Sequence, residues 1–213
     1  MRAFPEMSHF DVRAVSWDEE PRRVAMGRAI AEAVATRFDP SKPPRLMDYG
    51  CGTGLCSLPL AARCVSVLGV DSSAGMLAQF EAKARAAGLT HVGACQHNLM
   101  AAPLEGWVFD VILCSMTLHH VRDVDLLLER FYELLVPAGW LALADLDRED
   151  GTFHQDPIEV YHHGFCRTAL TEQLRAAGFE GVEFETIYRI EKPVATSAIR
   201  SFPVFLAIAR KPS

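Results

Sequence analysis

The stretch DYGCGTG at residues 48–54 stands where one apolar run, RLMDYG at 45–50, ends and a helical pattern over 54–63 begins. Glycines at such a junction let the chain turn tightly and let its backbone approach a ligand lying across the strand ends. The dinucleotide fingerprint G-x-G-x-x-G requires a glycine at position 55, where Leu55 stands instead. That spacing argues against NAD or FAD and disfavours an NAD-dependent oxidoreductase. A P-loop also fails, because no Gly-Lys-Ser/Thr opens the helix, so the ligand need not carry phosphates. Asp71 closes the next apolar run, in VLGVDSS at 67–73. It lies about 20 residues after the glycines, where a carboxylate accepts hydrogen bonds from both hydroxyls of a ribose. Taken singly, the glycines read equally well as an ordinary turn and Asp71 as a helix-capping acid. Together and in this order they favour a nucleoside.

Working outward, apolar runs of strand length recur at 45–50, 65–70, 91–96, 109–115 and 140–146, and two more are expected around 182–190 and 203–210. Helical patterns fill the gaps at 54–63, 73–87 and 123–135, the last with Val124, Leu127, Leu128, Phe131, Leu134 and Leu135 on one side. This alternation predicts a doubly wound α/β fold, a parallel sheet covered on both faces. Trp17 to Phe38 reads as an N-terminal helix that PSKPP at 40–44 stops, and residues 1–40 are expected to form a helical cap. The histidine-rich stretch at 147–167 has no clear period and reads as a covering segment. A helix follows over 168–179, with Thr168 as its cap and Gly178 as its stop. The whole chain, 1–213, is expected to be one domain.

Half of the 213 residues are hydrophobic and 23% are charged, enough for a sizeable core. A net charge of −6 supplies no general attraction to nucleic acid or to an anionic membrane, and neither is expected as a partner. No apolar core of signal-peptide length stands in the first 20 residues, and no later stretch has the length of a membrane helix, so a cytoplasmic protein is expected. The six cysteines, at 51, 56, 64, 95, 114 and 166, include no CxxC pair and read as reduced structural thiols.

With these features in place, the chain resembles the class I S-adenosylmethionine-dependent methyltransferases, through LMDYGCGTG at 46–54, GVDSSAGML at 69–77, FDVILCSMTLHHV at 109–121 and LLVPAGWLALAD at 134–145. The resemblance implies a Rossmann-like seven-stranded sheet of order 3-2-1-4-5-7-6 with the last strand antiparallel. It also implies S-adenosylmethionine as cofactor and S-adenosylhomocysteine as product. By position, Asp48 and the backbone of Gly50, Cys51, Gly52 and Gly54 would hold the methionine part and Asp71 the ribose. Ser72 and Met76 would line the adenine side. Asn98 takes the place of an acid common in the family, so that its amide or the Leu99 backbone would meet the adenine. Cys114 to Met116 would pass beneath the cofactor. The segment FDVRAVSWDEE at 10–20 is similar to that of small-molecule methyltransferases whose first helix folds over the cofactor. In that reading Phe10, Trp17 and Arg22 help close the site, although Trp17 reads equally as a helix anchor.

A sulfonium already makes its methyl electrophilic, so the protein's main task is alignment of a nucleophile, which supplies roughly 7–11 kcal/mol when the reacting atoms are held near contact. A base is optional, and histidine suits that role because it titrates near neutrality. The catalytic candidates are His119, His120 and His163, with His154 and His162 nearby in sequence. His119 and His120 read also as packing against the cofactor or capping a helix. Adjacent His162 and His163 point apart on a regular element, and no carboxylate stands at ligand spacing, so no metal is expected. A small-molecule acceptor is the leading expectation. Methylation of a protein, or a non-catalytic cofactor-binding subunit, are the alternatives. The Asn/Asp-Pro-Pro-Tyr/Phe motif of nucleobase amino-methylation is absent after the fourth strand, where CSMTLHHV stands.

Overall fold

The computed structural model describes residues 8–154, 159–194 and 198–213. Its chain runs α1 (His9–Arg13), a 3-10 turn (Ala14–Glu19), α2 (Pro21–Ala35), β1 (Arg45–Tyr49), a 3-10 helix (Leu58–Arg63), β2 (Ser66–Asp71), α3 (Ala74–Ala86), β3 (Val92–Gln96) and β4 (Phe109–Ser115). It continues through a 3-10 turn (Leu118–His120), α4 (Val124–Leu134), β5 (Leu135–Leu146), α5 (Arg167–Ala176), β6 (Glu180–Pro193) and β7 (Ile199–Arg210). The seven strands form one sheet of order β3-β2-β1-β4-β5-β7-β6. β1 to β5 pair in parallel, and β7 runs antiparallel to both β5 and β6. Sheet and order are those implied by the resemblance.

The central strands are apolar on both faces because both are covered. In β1, Leu46 joins a layer with Ile30, Val34, Phe80 and Leu113, under α2 and α3. Its neighbour Met47 joins the opposite layer with Leu127, Phe131, Leu141 and Leu174, under α4 and α5. Two caps set helix starts beside the strand ends: Ser73 accepts from the Met76 amide at α3, and Asp123 from the Leu126 amide at α4. Each such cap contributes about 1 kcal/mol.

Several boundaries differ from the sequence reading. The helix expected over 54–63 is only a 3-10 helix, Leu58–Arg63, because Gly50, Gly52 and Gly54 all hold positive φ and Pro59 sits in its first turn. The N-terminal helix breaks at Pro21, so Trp17 lies in the preceding 3-10 turn. Leu135 leaves α4 to open β5, a twelve-residue strand. At α5 the N-cap is Cys166 rather than Thr168, with no side-chain cap bond, whereas Gly178 does take a left-handed φ of 98° just past the helix. The expected helical cap and covering segment are described except at 1–7 and 155–158, which lie outside the described residues. Among the described residues, no helix is long and apolar enough to cross a membrane.

Candidate active site

The site lies beyond the carboxyl ends of β1, β2 and β4, where the glycine turn, the start of α3 and the Leu118–His120 turn converge on a cavity of about 460 Å³. Gly50 cannot carry a side chain: a Cβ there would stand 2.2 Å from Thr117 Oγ1, and its φ is 69°. At Gly52 a Cβ would meet only Met76 Sδ, at 4.0 Å, so this glycine leaves open space at the cavity floor. Asp71 organises the loop. One carboxylate oxygen accepts from the Gly52 amide at 2.9 Å and the other from the Ser73 amide at 2.8 Å, joining the glycine turn to the first turn of α3. Burial raises its pKa. Asp48 is buried, its Oδ1 has no hydrogen-bond partner of normal geometry among the described residues, and burial pushes its pKa up to about 7 against the nearby Ser57 hydroxyl, which works to lower it. An orphaned carboxylate oxygen on a cavity wall is a demand for a donor.

The N-terminal segment roofs this cavity. Asp11 reaches from α1 to α3, accepting from Ser73 Oγ at 2.6 Å and the Gly75 amide at 2.8 Å, bonds that hold its carboxyl down at about 2. Asp18 ties the adjoining 3-10 turn to Thr53 in the glycine loop at 2.5 Å and to Lys83 at 2.6 Å. Phe10 packs edge-on against both Trp17 and His120, and the Arg23 guanidinium stacks 3.8 Å from the Trp17 ring centre. Met116, on the cavity wall after β4, holds a positive φ of 50°, a strain of about 1 kcal/mol or more for a residue with a side chain.

Three imidazoles gather at the other end. His119 is 2% exposed, and its Nδ1 lies 2.8 and 3.0 Å from the two carboxylate oxygens of buried Asp145. His120 Nδ1 bonds the Glu159 carbonyl at 2.8 Å. His154 comes from the covering segment, its ring 4.9 Å from His119, and its buried Nδ1 has no partner among the described residues. Burial first, and the neighbouring His119 second, push His120 and His154 down to about 4, so both are neutral at pH 7. The covering segment is pinned here: the Tyr161 and His162 amides donate to the His119 carbonyl, and His162 Nε2 bonds the Val121 carbonyl at 2.9 Å.

A profile of the methyltransferase domain family matches residues 19–183, most of the chain. The chain belongs to the class I S-adenosylmethionine-dependent methyltransferases. An uncharacterized methyltransferase of Schizosaccharomyces pombe is 30% identical over 153 residues, 65% of this chain and 54% of that protein. A ubiquinone biosynthesis O-methyltransferase of Azorhizobium caulinodans is 35% identical over 163 residues, 70% of this chain and 64% of that protein. The matches thus span less than two thirds of these curated relatives. Among solved structures, a Haloferax volcanii methyltransferase in complex with a methyltransferase activator superposes with a TM-score of 0.77 at 17% identity, covering 96% of this chain and 98% of that one. Haemonchus contortus phosphoethanolamine N-methyltransferase 2, solved with S-adenosyl-L-methionine, gives 0.69 at 19% identity, covering 86% and 52%. At these identities the structures speak for the fold alone.

In this chain, Asp48, Gly50, Cys51, Gly52, Asp71, Ser72, Met76, Asn98, Trp17 and His120 all line the cavity. Other sequence candidates do not. Gly54 is closed off by Leu58 and Phe80, and Leu99 and Cys114 are buried in the core beneath the wall, which Ser115 and Met116 form instead. His119 stands one layer deeper, and His163 points away, its half-exposed side chain 3.6 Å from Glu149. Arg22 pairs with Glu20, and the cavity arginine on that helix is Arg23. The expectation of no metal ligands rested on His162 and His163; the chain instead brings His119, His120 and His154 together. Sequence reasoning missed Asp11 and Asp18. Ser8 and Asp11 form a capping box, a spacing signal that could have marked Asp11, but nothing local marks its bonds to α3.

Proposed function

We propose that the chain transfers the methyl group of S-adenosylmethionine to the hydroxyl of a small-molecule acceptor. The observation that carries this is one continuous cavity with two chemically different ends. At one end, Asp48 supplies an unpaired buried carboxylate oxygen for the methionine ammonium, Asp71 has lone pairs left for vicinal ribose hydroxyls, and Gly52 leaves room for backbone approach. Arg23, on the cavity wall, suits the methionine carboxylate. At the other end, His120, Arg122 and Tyr161 face an acceptor. Phe10 and Trp17 roof the space between and exclude water.

The bound cofactor supplies an electrophilic methyl. The residues supply alignment, so that the acceptor oxygen attacks in line with the bond that breaks, and its proton leaves to solvent. The O-methyltransferase relative supports oxygen as the acceptor atom, and a cavity of about 460 Å³ partly roofed by Phe10 and Trp17 supports a small molecule over a protein chain.

Calorimetric titration of ligand-free protein with S-adenosylmethionine, S-adenosylhomocysteine and NAD tests the first half. Micromolar binding of the first two alone, on the order of −8 kcal/mol, is expected. A panel of hydroxyl, amine and thiol acceptors with methyl-labelled cofactor tests the second. Absence of cofactor binding, or transfer only to amines or to protein, sinks the proposal.

A further inference from the structure

The three histidines at the acceptor end have a feature that methyl transfer does not require. One ring nitrogen from each of His119, His120 and His154 falls within 4.8 Å of the other two. In two of the three, Nδ1 is already committed. His119 Nδ1 meets both oxygens of Asp145, and His120 Nδ1 meets a backbone carbonyl. In both rings Nδ1 faces an oxygen acceptor, the arrangement by which outer groups orient metal-binding imidazoles with Nε2 toward the ion. His154 adds a buried Nδ1 with no partner among the described residues. Asp145 itself is fully buried and also accepts from the Leu146 amide at 2.7 Å, so its grip on His119 is rigid.

We propose that His119, His120 and His154 bind one divalent borderline-soft cation, with Zn²⁺ as the reference ion. Three imidazole ligands suit zinc and its neighbours in the first transition row, and disfavour the oxygen-seeking magnesium and calcium. Zinc holds imidazole nitrogens at about 2.0–2.1 Å, hence about 3.4 Å from one another in a tetrahedral site. The nitrogens now lie within 4.8 Å of one another, so binding draws the rings together, His154 from the covering segment and the other two from the turn after β4. Three protein ligands leave the fourth position open, and because His120 is on the cavity wall that position faces the acceptor.

Its use in catalysis rests on the function proposed above; binding of the ion does not. With an acceptor hydroxyl in the fourth position, the ion lowers the hydroxyl's pKa and the proton leaves to water. An oxygen lone pair then forms the O–CH₃ bond while the sulfonium C–S bond breaks, its electron pair staying on sulfur.

The test uses tag-free protein stripped with a chelator and titrated calorimetrically with ZnCl₂, with Co²⁺ absorption as an independent readout of coordination. One ion per chain with a submicromolar Kd is expected, and a d–d band of tetrahedral intensity. His154→Ala and His120→Ala should each weaken zinc at least 100-fold, and Asp145→Asn, altering a positioning residue, by 10- to 100-fold. His91→Gln, at a ring that bonds the Ala61 carbonyl, should change nothing. His154→Ala should still bind S-adenosylmethionine, which shows that it is folded. Failure of the stripped wild type to bind zinc below 100 μM, or binding that survives both alanine variants, overturns the site. If zinc binds in a 1:1 ratio while S-adenosylmethionine does not, the ion site stands and the proposed function falls. If stripped protein binds cofactor and transfers methyl but takes up no zinc, the reverse holds.

Discussion

The two ends of the cavity are built in different ways. The glycine end is nearly continuous in sequence: Asp48, Gly50 and Gly52 fall within five residues, and Asp71 bonds back to the same turn. Its shape is a property of backbone, set by three left-handed glycines that no other residue could replace cheaply. The histidine end is gathered from separate places, with His119 and His120 after β4, His154 and Tyr161 in the covering segment, and Asp145 at the end of β5. Its shape is a property of side chains held by hydrogen bonds between segments. The difference teaches that damage at the first end should reach folding and cofactor together, whereas damage at the second should reach the acceptor alone.

The largest expected effect tests the first half of that statement. Gly50→Ala forces a Cβ against Thr117 at a positive φ and should lower stability by about 3 kcal/mol, read by urea denaturation, with cofactor binding lost. Thr117→Ala in the same chain should restore part of both. Asp71→Ala removes a charged acceptor whose bonds contribute about 1.5–3 kcal/mol each, so cofactor affinity by calorimetry should fall roughly 100-fold. Unchanged affinity would remove Asp71 from the ribose site.

Asp48 carries a pH signature. Its pKa of about 7 means that the free protein holds a proton there below neutrality, whereas pairing with an ammonium requires the ionised form. Binding must therefore release a proton at low pH, and affinity should fall as pH drops from 7 toward 5, by up to about tenfold per unit. Calorimetry in buffers of different ionisation enthalpy counts that proton, and Asp48→Asn should flatten the slope. An unchanged slope in the variant would place the linkage elsewhere.

Smaller effects sharpen the contrast. Asp11→Ala frees the roof from α3, and losing about 1 kcal/mol of hydrogen bonding should weaken the cofactor about fivefold. His162→Ala cuts one pin of the covering segment and should raise the acceptor KM about threefold, with cofactor affinity unchanged. If cofactor affinity moves as much as the acceptor KM, the two ends are one mechanical unit and the contrast fails.

Legibility followed the same division. The alternation of strands and helices, the double covering of the sheet and the glycine-end residues were readable because each depends on local period or on contiguous backbone, whereas the strand order came from the resemblance to the family. Cys114 fell behind the wall because strand alternation points neighbouring residues of β4 to opposite faces, and Leu99, in the turn after β3, is buried in the core where no local period marks its direction. Arg22 and Arg23 exchanged places for a similar reason: a one-residue step on a helix turns the side chain about 100°.

By itself, the sequence determined a doubly wound sheet with a nucleoside-shaped glycine turn at its carboxyl edge. Those features follow from spacing along the chain, and spacing is covalent. Only the tertiary structure decided that Asp11 and Asp18 fasten the roof, that His163 turns away, and that His154 joins His119 and His120. Each of these contacts joins segments distant in sequence, and where such a loop returns is settled by packing and buried hydrogen bonds rather than by any local pattern.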